Sequence, residues 1–167
     1  SRIGVLMTNR PEWVASCFGI AMAGATVVGL STFSTPAELA HLLKISGISI
    51  LLFERAVLAK DFAEIATALE PRIVQSFPGQ LLSPEFPLLR RLVMVGEGVV
   101  PGVEGWQQFL AHGEAVPPEM VEARSAQVKP SDPALLLFSS GSTGKPKGIL
   151  NAHRGVNIQS WRWVRIY

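Results

Sequence analysis

The chain has 167 residues and a formal net charge of +2, with 48% of its residues hydrophobic and 17% charged. This composition is typical of a globular protein with a hydrophobic core. The small net charge and the lack of a lysine or arginine run argue against a nucleic-acid-binding protein. The single cysteine, Cys17, cannot form an internal disulfide and fits no metal-binding spacing, so we predict a buried structural thiol.

Residues 13–30 form a long apolar stretch, but Ser16, Gly19 and Thr26 interrupt it. A helix followed by a strand accounts for this pattern better than a membrane span, so we predict no transmembrane segment. The chain begins at Ser1 inside a strand-like run and shows no targeting peptide. We therefore expect a fragment of a longer cytoplasmic protein.

Strands and helices are predicted to alternate from the beginning of the chain. Residues 3–7 indicate a buried strand, and Asn9, with Glu12 three residues later, indicates the N-cap of a helix. This helix is predicted to end before Gly24, and residues 25–30 then indicate a second buried strand.

A capping box encodes the next helix start. Thr35 has a glutamate, Glu38, three residues later, and a proline occupies the first helical position between them. The helix is predicted to end at Gly47, and residues 48–53 indicate a third strand.

The following region is less regular. Residues 57–69 predict an amphipathic helix, 77–87 an irregular connection, 92–95 a strand and 106–111 a short helix. Residues 117–133 are polar and rich in proline, and they are interpreted as a bridge to the strand that follows. The alternation as a whole predicts an α/β protein with a mostly parallel sheet flanked by helices.

The most informative segment is SSGSTGKPKG at residues 139–148, which follows an apolar run at residues 134–138. Its glycines allow backbone N–H groups to turn toward an anion, its hydroxyls add hydrogen-bond donors, and its lysines add positive charge. Pro146 excludes a regular helix between Lys145 and Lys147. The sequence therefore predicts a phosphate-binding loop.

A Walker A loop and a flexible linker are the alternatives for this segment. A Walker A loop has the pattern Gly-x-x-x-x-Gly-Lys-Ser/Thr. Its first glycine stands five residues before the Gly-Lys pair, and a serine or threonine follows the lysine. Ser139 and Pro146 stand at those positions, so the Walker A pattern is not met. On composition alone, a glycine- and serine-rich linker is the remaining alternative.

The order of the loop residues resembles the phosphate-binding loop of the AMP-forming adenylating superfamily, which includes acyl-CoA synthetases, luciferases and the adenylation domains of peptide synthetases. The family pattern, Ser/Thr-Ser-Gly-Ser/Thr-Thr-Gly-x-Pro-Lys-Gly, is met at every specified position of residues 139–148. The Pro-x-Asp-Pro approach at residues 130–133 and the later histidine, His153, agree with it. Residues 2–53 resemble the opening of the same domain and are most similar to fatty-acid and related acyl-CoA ligases.

This resemblance implies the acetyl-CoA synthetase-like fold. Residues 1–128 would form an N-terminal α/β subdomain of the AMP-binding domain, and residues 129–167 would form a strand, the loop and the start of a helix. The implied activity is that of an acid–thiol ligase, in which a carboxylic acid attacks the α-phosphate of Mg-ATP to give an acyl-adenylate and pyrophosphate. Coenzyme A then takes the acyl group. The implied partners are a small carboxylic acid and ATP, and the resemblance leaves the oligomeric state open.

By the same resemblance, Lys147 would neutralise charge on the leaving pyrophosphate, while backbone amides and hydroxyls of the loop would hold it. One loop hydroxyl, that of Ser139 or of Thr143, would bind Mg²⁺, and either choice is open. A structural hydrogen bond is predicted for His153 rather than a catalytic role. The full set of expected ATP-binding residues is Ser139, Ser140, Gly141, Ser142, Thr143, Gly144 and Lys147.

The family's later motifs, which supply the adenine pocket, the ribose-binding aspartate, the hinge and the catalytic lysine, have no counterpart here. No catalytic residue is therefore assigned, and the chain alone is expected to be inactive. A second hypothesis is a non-catalytic phosphate-binding or interaction module derived from this family.

Overall fold

The computed structural model describes residues 1–139 and 146–166. The strands in these ranges are β1 (Arg2–Leu6), β2 (Thr26–Gly29), β3 (Ile50–Glu54), β4 (Ala56–Val57), β5 (Lys60–Asp61), β6 (Arg91–Val95), β7 (Glu104–Gly105), β8 (Pro133–Ser139) and β9 (Lys147–Ala152). The helices are α1 (Pro11–Met22), α2 (Pro36–Ser46), α3 (Phe62–Leu69), α4 (Trp106–Ala111), α5 (Pro118–Ala126) and α6 (His153–Ile166). None of these described helices is long and apolar enough to cross a membrane.

Seven strands form one sheet in the order β7-β6-β3-β1-β2-β8-β9, while β4 and β5 pair separately as a hairpin. Neighbouring strands of the sheet are parallel, apart from the antiparallel pair β8 and β9. The predicted mostly parallel sheet flanked by helices is confirmed. The predicted boundary between residues 128 and 129 precedes β8, which lies in the same sheet as β1, β2 and β3.

The central strands divide the hydrophobic core between the two faces of the sheet. On β3, Leu51 and Phe53 join the cluster that contains Phe62 of α3, whereas Leu52 joins the cluster that contains Ile20 of α1. Successive strand residues point to opposite faces, so a strand covered by helices on both sides must be apolar throughout. Complete burial of a side chain such as that of Phe53 stabilises the fold by about 1.5–3 kcal/mol.

The beginning of α1 differs from the prediction. The N-cap is Arg10, not Asn9, and Pro11 is the first helical residue. A residue that precedes proline is driven into an extended conformation, and Arg10 accordingly has φ −143° and ψ 161°. Glu12 does not complete a capping box, because its Oε2 instead accepts a hydrogen bond from Nε of Arg10 at 2.7 Å.

The capping box of α2 is confirmed. The hydroxyl of Thr35 accepts from the backbone N–H of Glu38 at 3.3 Å, and the Glu38 carboxylate accepts from the backbone N–H of Thr35 at 2.7 Å. At the other end, Gly47 has φ +63° and stops the helix as predicted.

The single helix predicted over residues 57–69 is wrong in its first half. The chain forms the β4–β5 hairpin there, with Leu58 at φ +54° in the turn. The helix begins only after Asp61, whose carboxylate accepts from the backbone N–H groups of Ala63 at 2.8 Å and Glu64 at 3.1 Å. Asp61 is therefore a strong N-cap, and it separates the hairpin from α3.

The predicted bridge over residues 117–133 contains the helix α5. Its Arg124 donates from Nε to the carbonyl oxygen of Ala23 at 2.9 Å. Ala23 is the C-cap of α1, where carbonyl groups lack partners within the helix, so this bond both satisfies the carbonyl and anchors α5 to α1. The bridge is consequently part of the helical layer on one face of the sheet.

A charged network joins the carboxyl ends of β1 and β3. The Glu54 carboxylate accepts from the backbone N–H of Thr8 at 2.9 Å, from its hydroxyl at 2.7 Å and from Nη1 of Arg10 at 2.9 Å. Burial raises the pKa of Glu54, but the hydrogen bonds from Thr8 and the charge of Arg10 outweigh burial, so the pKa is lowered overall. Glu54 therefore holds the beginning of α1 against the end of β3.

We expect acid to destabilise the protein partly through Glu54. Because the pKa of Glu54 is lowered in the folded state, its carboxylate stabilises the fold above the ordinary glutamate pKa of about 4.3, and this contribution is lost as the pH falls. Glu54→Gln should reduce the free energy of unfolding at neutral pH by about 1–3 kcal/mol. Urea unfolding from about pH 7 to about pH 3 should show a shallower decline in this variant than in the wild type.

The matched control is Glu119→Gln, at an exposed position of α5. This change should alter neither the stability at neutral pH nor its decline on acidification. The role given to Glu54 would be refuted by an acid profile of Glu54→Gln that superimposes on the wild-type profile.

A second prediction concerns Gly102. Its φ is +77°, and an added Cβ would lie 1.7 Å from the carbonyl oxygen of Ile73. Gly102→Ala should therefore lower the free energy of unfolding by at least about 2 kcal/mol, measured by urea denaturation. Gly113→Ala, which meets no atom within 4 Å, should stay within about 0.5 kcal/mol of the wild type. Equal losses in the two variants would show that the contact with Ile73 is unimportant.

Candidate phosphate-binding site

The two ends of the phosphate-loop motif lie directly opposite each other. Strand β8 ends at Ser139, β9 begins at Lys147, and these two residues are paired in the antiparallel ladder. Paired residues of an antiparallel ladder place their side chains on the same face, with Cβ atoms about 4.5–5.5 Å apart. The Ser139 hydroxyl and the Lys147 side chain therefore share one face of the hairpin where the loop begins and ends, which we call the loop neck.

The remaining predicted site residues, together with Lys145, lie outside the described residues. Their proposed contacts with phosphate, and the choice of Ser139 or Thr143 as a Mg²⁺ ligand, therefore stay predictions. Within the described ranges, no group of three or more His, Cys, Asp or Glu side chains could hold a metal ion. The predicted site residues that lie outside the described ranges are Ser140, Gly141, Ser142, Thr143 and Gly144.

The loop neck lies at the edge of the sheet where the parallel strands end. Strand β8 runs parallel to β2, with Leu135 opposite Val27 and Leu136 opposite Val28. Ligands of open α/β sheets bind at this carboxyl edge, because the connecting loops there are free to form a crevice. The position of the motif thus agrees with the ligand-binding role predicted for it.

A cavity of about 320 Å³ adjoins the loop neck. Ser31 and Ser34, which follow β2, line one side, and Ser139 and Pro146 line the other. Glu38 is also in the wall, and the backbone and side-chain hydrogen bonds from Thr35 lower the pKa of its carboxyl group. Because that carboxylate repels anions, it disfavours an anion inside this cavity.

Two glycines allow the hairpin to pack closely, and sequence reasoning missed one of them. A Cβ on Gly148 would lie 3.0 Å from Cδ1 of Leu136, and a Cβ on Gly29 would lie 2.9 Å from Cδ2 of Leu137. Gly148 is part of the motif, whereas Gly29 is an isolated glycine in β2 that carries no local signal of this contact. Together they position β8 between β2 and β9.

His153 lies at the opposite end of β8 from the loop neck. Its backbone N–H donates to the carbonyl oxygen of Asp132 at 3.1 Å, just before β8 begins. Ser139 is six residues beyond Pro133, the first residue of β8, which corresponds to about 20 Å along the strand. The bond at the strand end is thus made by the backbone of His153. Nε2 of the ring is buried without a partner among the described residues, so a structural hydrogen bond of the imidazole stays a prediction.

Comparisons with known proteins show the family to which the chain is related. The family model described as AMP-binding enzyme matches residues 1–166. The chain is 33% identical over 163 residues to an octahydroindenyl-propanoyl:CoA ligase of Mycobacterium tuberculosis, covering 98% of the chain and 29% of the relative. It is 30% identical over 157 residues to the 3-hydroxybenzoate/4-hydroxybenzoate–CoA ligase of Thauera aromatica, covering 94% of the chain and 26% of the relative.

A solved structure, the anthranilate CoA ligase AuaEII in complex with anthranoyl-AMP, superimposes with a TM-score of 0.71 and 25% sequence identity. The superposition covers 98% of this chain and 27% of the ligase. The chain thus spans less than a third of the length of these relatives. Since the family model covers nearly all of the residues and both described ends of the loop motif meet at the carboxyl edge of the sheet, the chain belongs to the AMP-binding enzyme family.

Proposed function

We propose that this chain is the N-terminal part of an ATP-dependent, AMP-forming acyl-CoA synthetase and that it carries the ATP phosphate-binding loop. The observation that carries the proposal is the loop neck, where Ser139 and Lys147 lie opposite each other at the carboxyl edge of the sheet. This geometry brings the hydroxyl-rich and lysine-containing ends of the motif together around one loop. Membership of the AMP-binding family and the CoA ligases among its relatives support the assignment.

In this proposal the loop holds the β- and γ-phosphates of ATP. Backbone N–H groups at the glycines and the loop hydroxyls donate to phosphate oxygens, and Lys147 supplies a positive charge from the neck. As the bond between the α- and β-phosphates breaks, negative charge develops on pyrophosphate, and a lysine placed beside it stabilises the leaving group. Lys147 is exposed, so its side chain is free to reach a bound polyphosphate.

Magnesium fits the same loop as part of Mg-ATP. Mg²⁺ prefers oxygen ligands and keeps several waters, so one loop hydroxyl together with phosphate oxygens suffices to hold it. We propose Ser139 or Thr143 for this position. The ion would neutralise phosphate charge, and the chain's own contribution would be to orient the triphosphate by the loop.

The acids named for the relatives are an octahydroindenyl-propanoic acid, hydroxybenzoic acids and anthranilate. These acids differ in their rings and share a carboxylate. We therefore propose a carboxylic acid as the substrate of the whole protein and coenzyme A as the acceptor of its acyl group.

The contribution of Lys147 is tested by binding of pyrophosphate. We expect weak binding, with a Kd of about 1 mM, because the loop acts without an adenine pocket. This Kd corresponds to a favourable binding free energy of about 4 kcal/mol. Lys147→Ala should weaken this binding by about 1–2 kcal/mol, the size of one charge-assisted contact at an exposed site. The measurement is a titration of pyrophosphate against backbone amide chemical shifts.

Two matched lysine variants control for general loss of positive charge. Lys145→Ala changes the variable position of the motif and should cost less than Lys147→Ala. Lys129→Ala removes a charge near the opposite end of β8, where the backbone of Lys129 bonds to Asp132, and should leave pyrophosphate binding unchanged. A loss for Lys145→Ala that equals or exceeds the loss for Lys147→Ala would reject the role given to Lys147.

A separate prediction concerns catalysis by the chain alone. Formation of an acyl-adenylate requires the acid and the α-phosphate to be oriented together, and we expect this chain to lack the groups for that step. ATP–pyrophosphate exchange, assayed with acids from acetate to palmitate, should equal the control without protein. Exchange clearly above that control would show that this chain suffices for adenylation, which would contradict the proposal that it is only part of the enzyme.

A further inference from the structure

Acidic and basic residues are distributed unevenly along the chain. All 13 aspartates and glutamates lie at or before Asp132, whereas five of the 15 lysines and arginines follow it. Two of these five are the lysines of the loop motif, and the other three are Arg154, Arg162 and Arg165 of α6. The helix α6 therefore carries three positive charges and no acidic residue that could neutralise them.

One side of α6 faces the sheet, and the opposite side is basic. Val156 and Gln159 line a groove together with side chains of β8. At about 100° per residue, Arg154, Trp161 and Arg165 lie on the side of the helix away from that groove. These three residues form a basic and aromatic stripe on the outer side of α6.

Apolar side chains are exposed on and beside this stripe. Trp161 is 56% exposed and Val164 is 83% exposed. The guanidinium carbon of Arg165 lies 3.5 Å from the ring centroid of Trp161, which is a cation–π contact. The apolar stem of an arginine can lie along an apolar surface while its charged group stays at a polar boundary. Both properties suit a surface that is apolar beneath and anionic on top.

The helix α1 lies beside α6 on the same face of the sheet. Both helices, together with the beginning of β8, line a mostly apolar cavity of about 290 Å³ at the amino end of that strand. Cys17 of α1 lies in its wall, and burial raises the pKa of the Cys17 thiol. Cys17 is nevertheless only partly buried, not fully buried as predicted.

The outer side of α1 extends the exposed apolar surface. Phe18 is 68% exposed, and Val14 and Met22, one turn before and one turn after it, are 48% and 47% exposed. Glu12 is the single charged residue of α1, and it forms a salt bridge with Arg10 at 2.7 Å. A helix that is apolar on its outer as well as its inner side is normally covered on both.

The positive charge of α6 is not offset by the neighbouring helix α5. That helix contains two glutamates, but it is anchored at Ala23, the carboxyl end of α1. The helix α6 starts near that edge of the sheet and runs along β8, with Trp163 beside Leu137. Its last turns, with Arg162 and Arg165, therefore lie toward the opposite edge of the sheet, away from α5.

These properties restrict the partner. The arginines require an anionic surface, and the outer side of α1 requires an apolar one. A nucleic acid would leave Phe18 and its apolar neighbours in water. A second copy of this chain, joined by a two-fold axis through this surface, would bring the arginines of both copies together. An anionic phospholipid surface offers phosphate groups and, directly beneath them, hydrocarbon.

We propose that the outer sides of α1 and α6, which we call the α1–α6 face, bind an anionic phospholipid surface. Phe18, Trp161 and Val164 enter the interface between headgroups and hydrocarbon, and the arginines of α6 contact lipid phosphates. This contact does not involve the phosphate loop. Vesicle binding and pyrophosphate binding are separate measurements, so this proposal and the proposed function stand or fall separately.

The test is flotation of the intact chain with phospholipid vesicles. One set of vesicles is pure phosphatidylcholine, and the other is an equimolar mixture of phosphatidylcholine and phosphatidylglycerol. We expect binding to the mixed vesicles to be at least about ten-fold tighter, because each arginine near an anionic surface contributes about five-fold. Raising the salt concentration from about 0.05 M to about 0.5 M should weaken this binding, since salt screens the charges.

Matched variants separate the charged and apolar contributions. Arg162→Gln should weaken binding to the mixed vesicles about five-fold, and Phe18→Ser should weaken it about ten-fold. The controls are Arg72→Gln and Phe77→Ser, two exposed residues that share a surface next to Ile73, on the other face of the sheet. Both controls should bind as the wild type does. The amide spectrum of each variant reports whether the fold is intact.

Several outcomes would overturn the proposal. Equal binding to the two kinds of vesicle, or equal losses in a variant and its control, would reject the α1–α6 face as an anionic lipid site. A dimer in sedimentation that Phe18→Ser abolishes, without vesicle binding, would assign the face to a second copy. Binding of soluble polyglutamate as tight as that of mixed vesicles would assign it to an acidic protein. Vesicle binding that is lost in the longer enzyme proposed above would show that later residues cover the face.

Discussion

The parallel pairing of β8 with β2 positions everything that follows it in the chain. Leu135 and Leu136 lie opposite two valines of β2, and Gly29 leaves room for the side chain of Leu137. Because β8 runs in the same direction as its parallel neighbours, Ser139 must emerge at the edge where their carboxyl ends meet. The returning strand β9 and the start of α6 take their places from this pairing.

The two ends of β8 differ in chemistry for a related reason. At the carboxyl end, Ser139 and Lys147 are accessible and polar, which suits a highly charged anion that keeps part of its hydration. At the amino end, side chains of α1, β8 and α6 line a mostly apolar cavity. These polar and apolar surroundings lie about 20 Å apart along one strand.

The helix starts show when local sequence is sufficient. Thr35 and Glu38 satisfy each other within one turn, so their capping box forms as predicted. Asn9 and Glu12 have the same spacing, yet Pro11 makes Arg10 the cap, and Arg10 binds Glu54, 44 residues away. The β4–β5 hairpin precedes a helix that begins only after its cap, Asp61, and a lysine of the hairpin, Lys60, donates to backbone carbonyls of the segment after β2. In both places a local signal, Pro11 or the Asp61 cap, sets where the helix begins, and a contact with a distant segment accompanies it.

The sequence by itself determined which chemical groups the loop motif contains and the order of most elements, because motif composition, helix caps and hydrophobic alternation are encoded by neighbouring residues. Only the tertiary structure decided which groups meet. It places Lys147 opposite Ser139, puts His153 at the far end of the same strand, and buries Glu104, 2% exposed, beside His112. These contacts depend on strand order and register, and a change of register would move every side chain to another partner or face, so no local pattern specifies them.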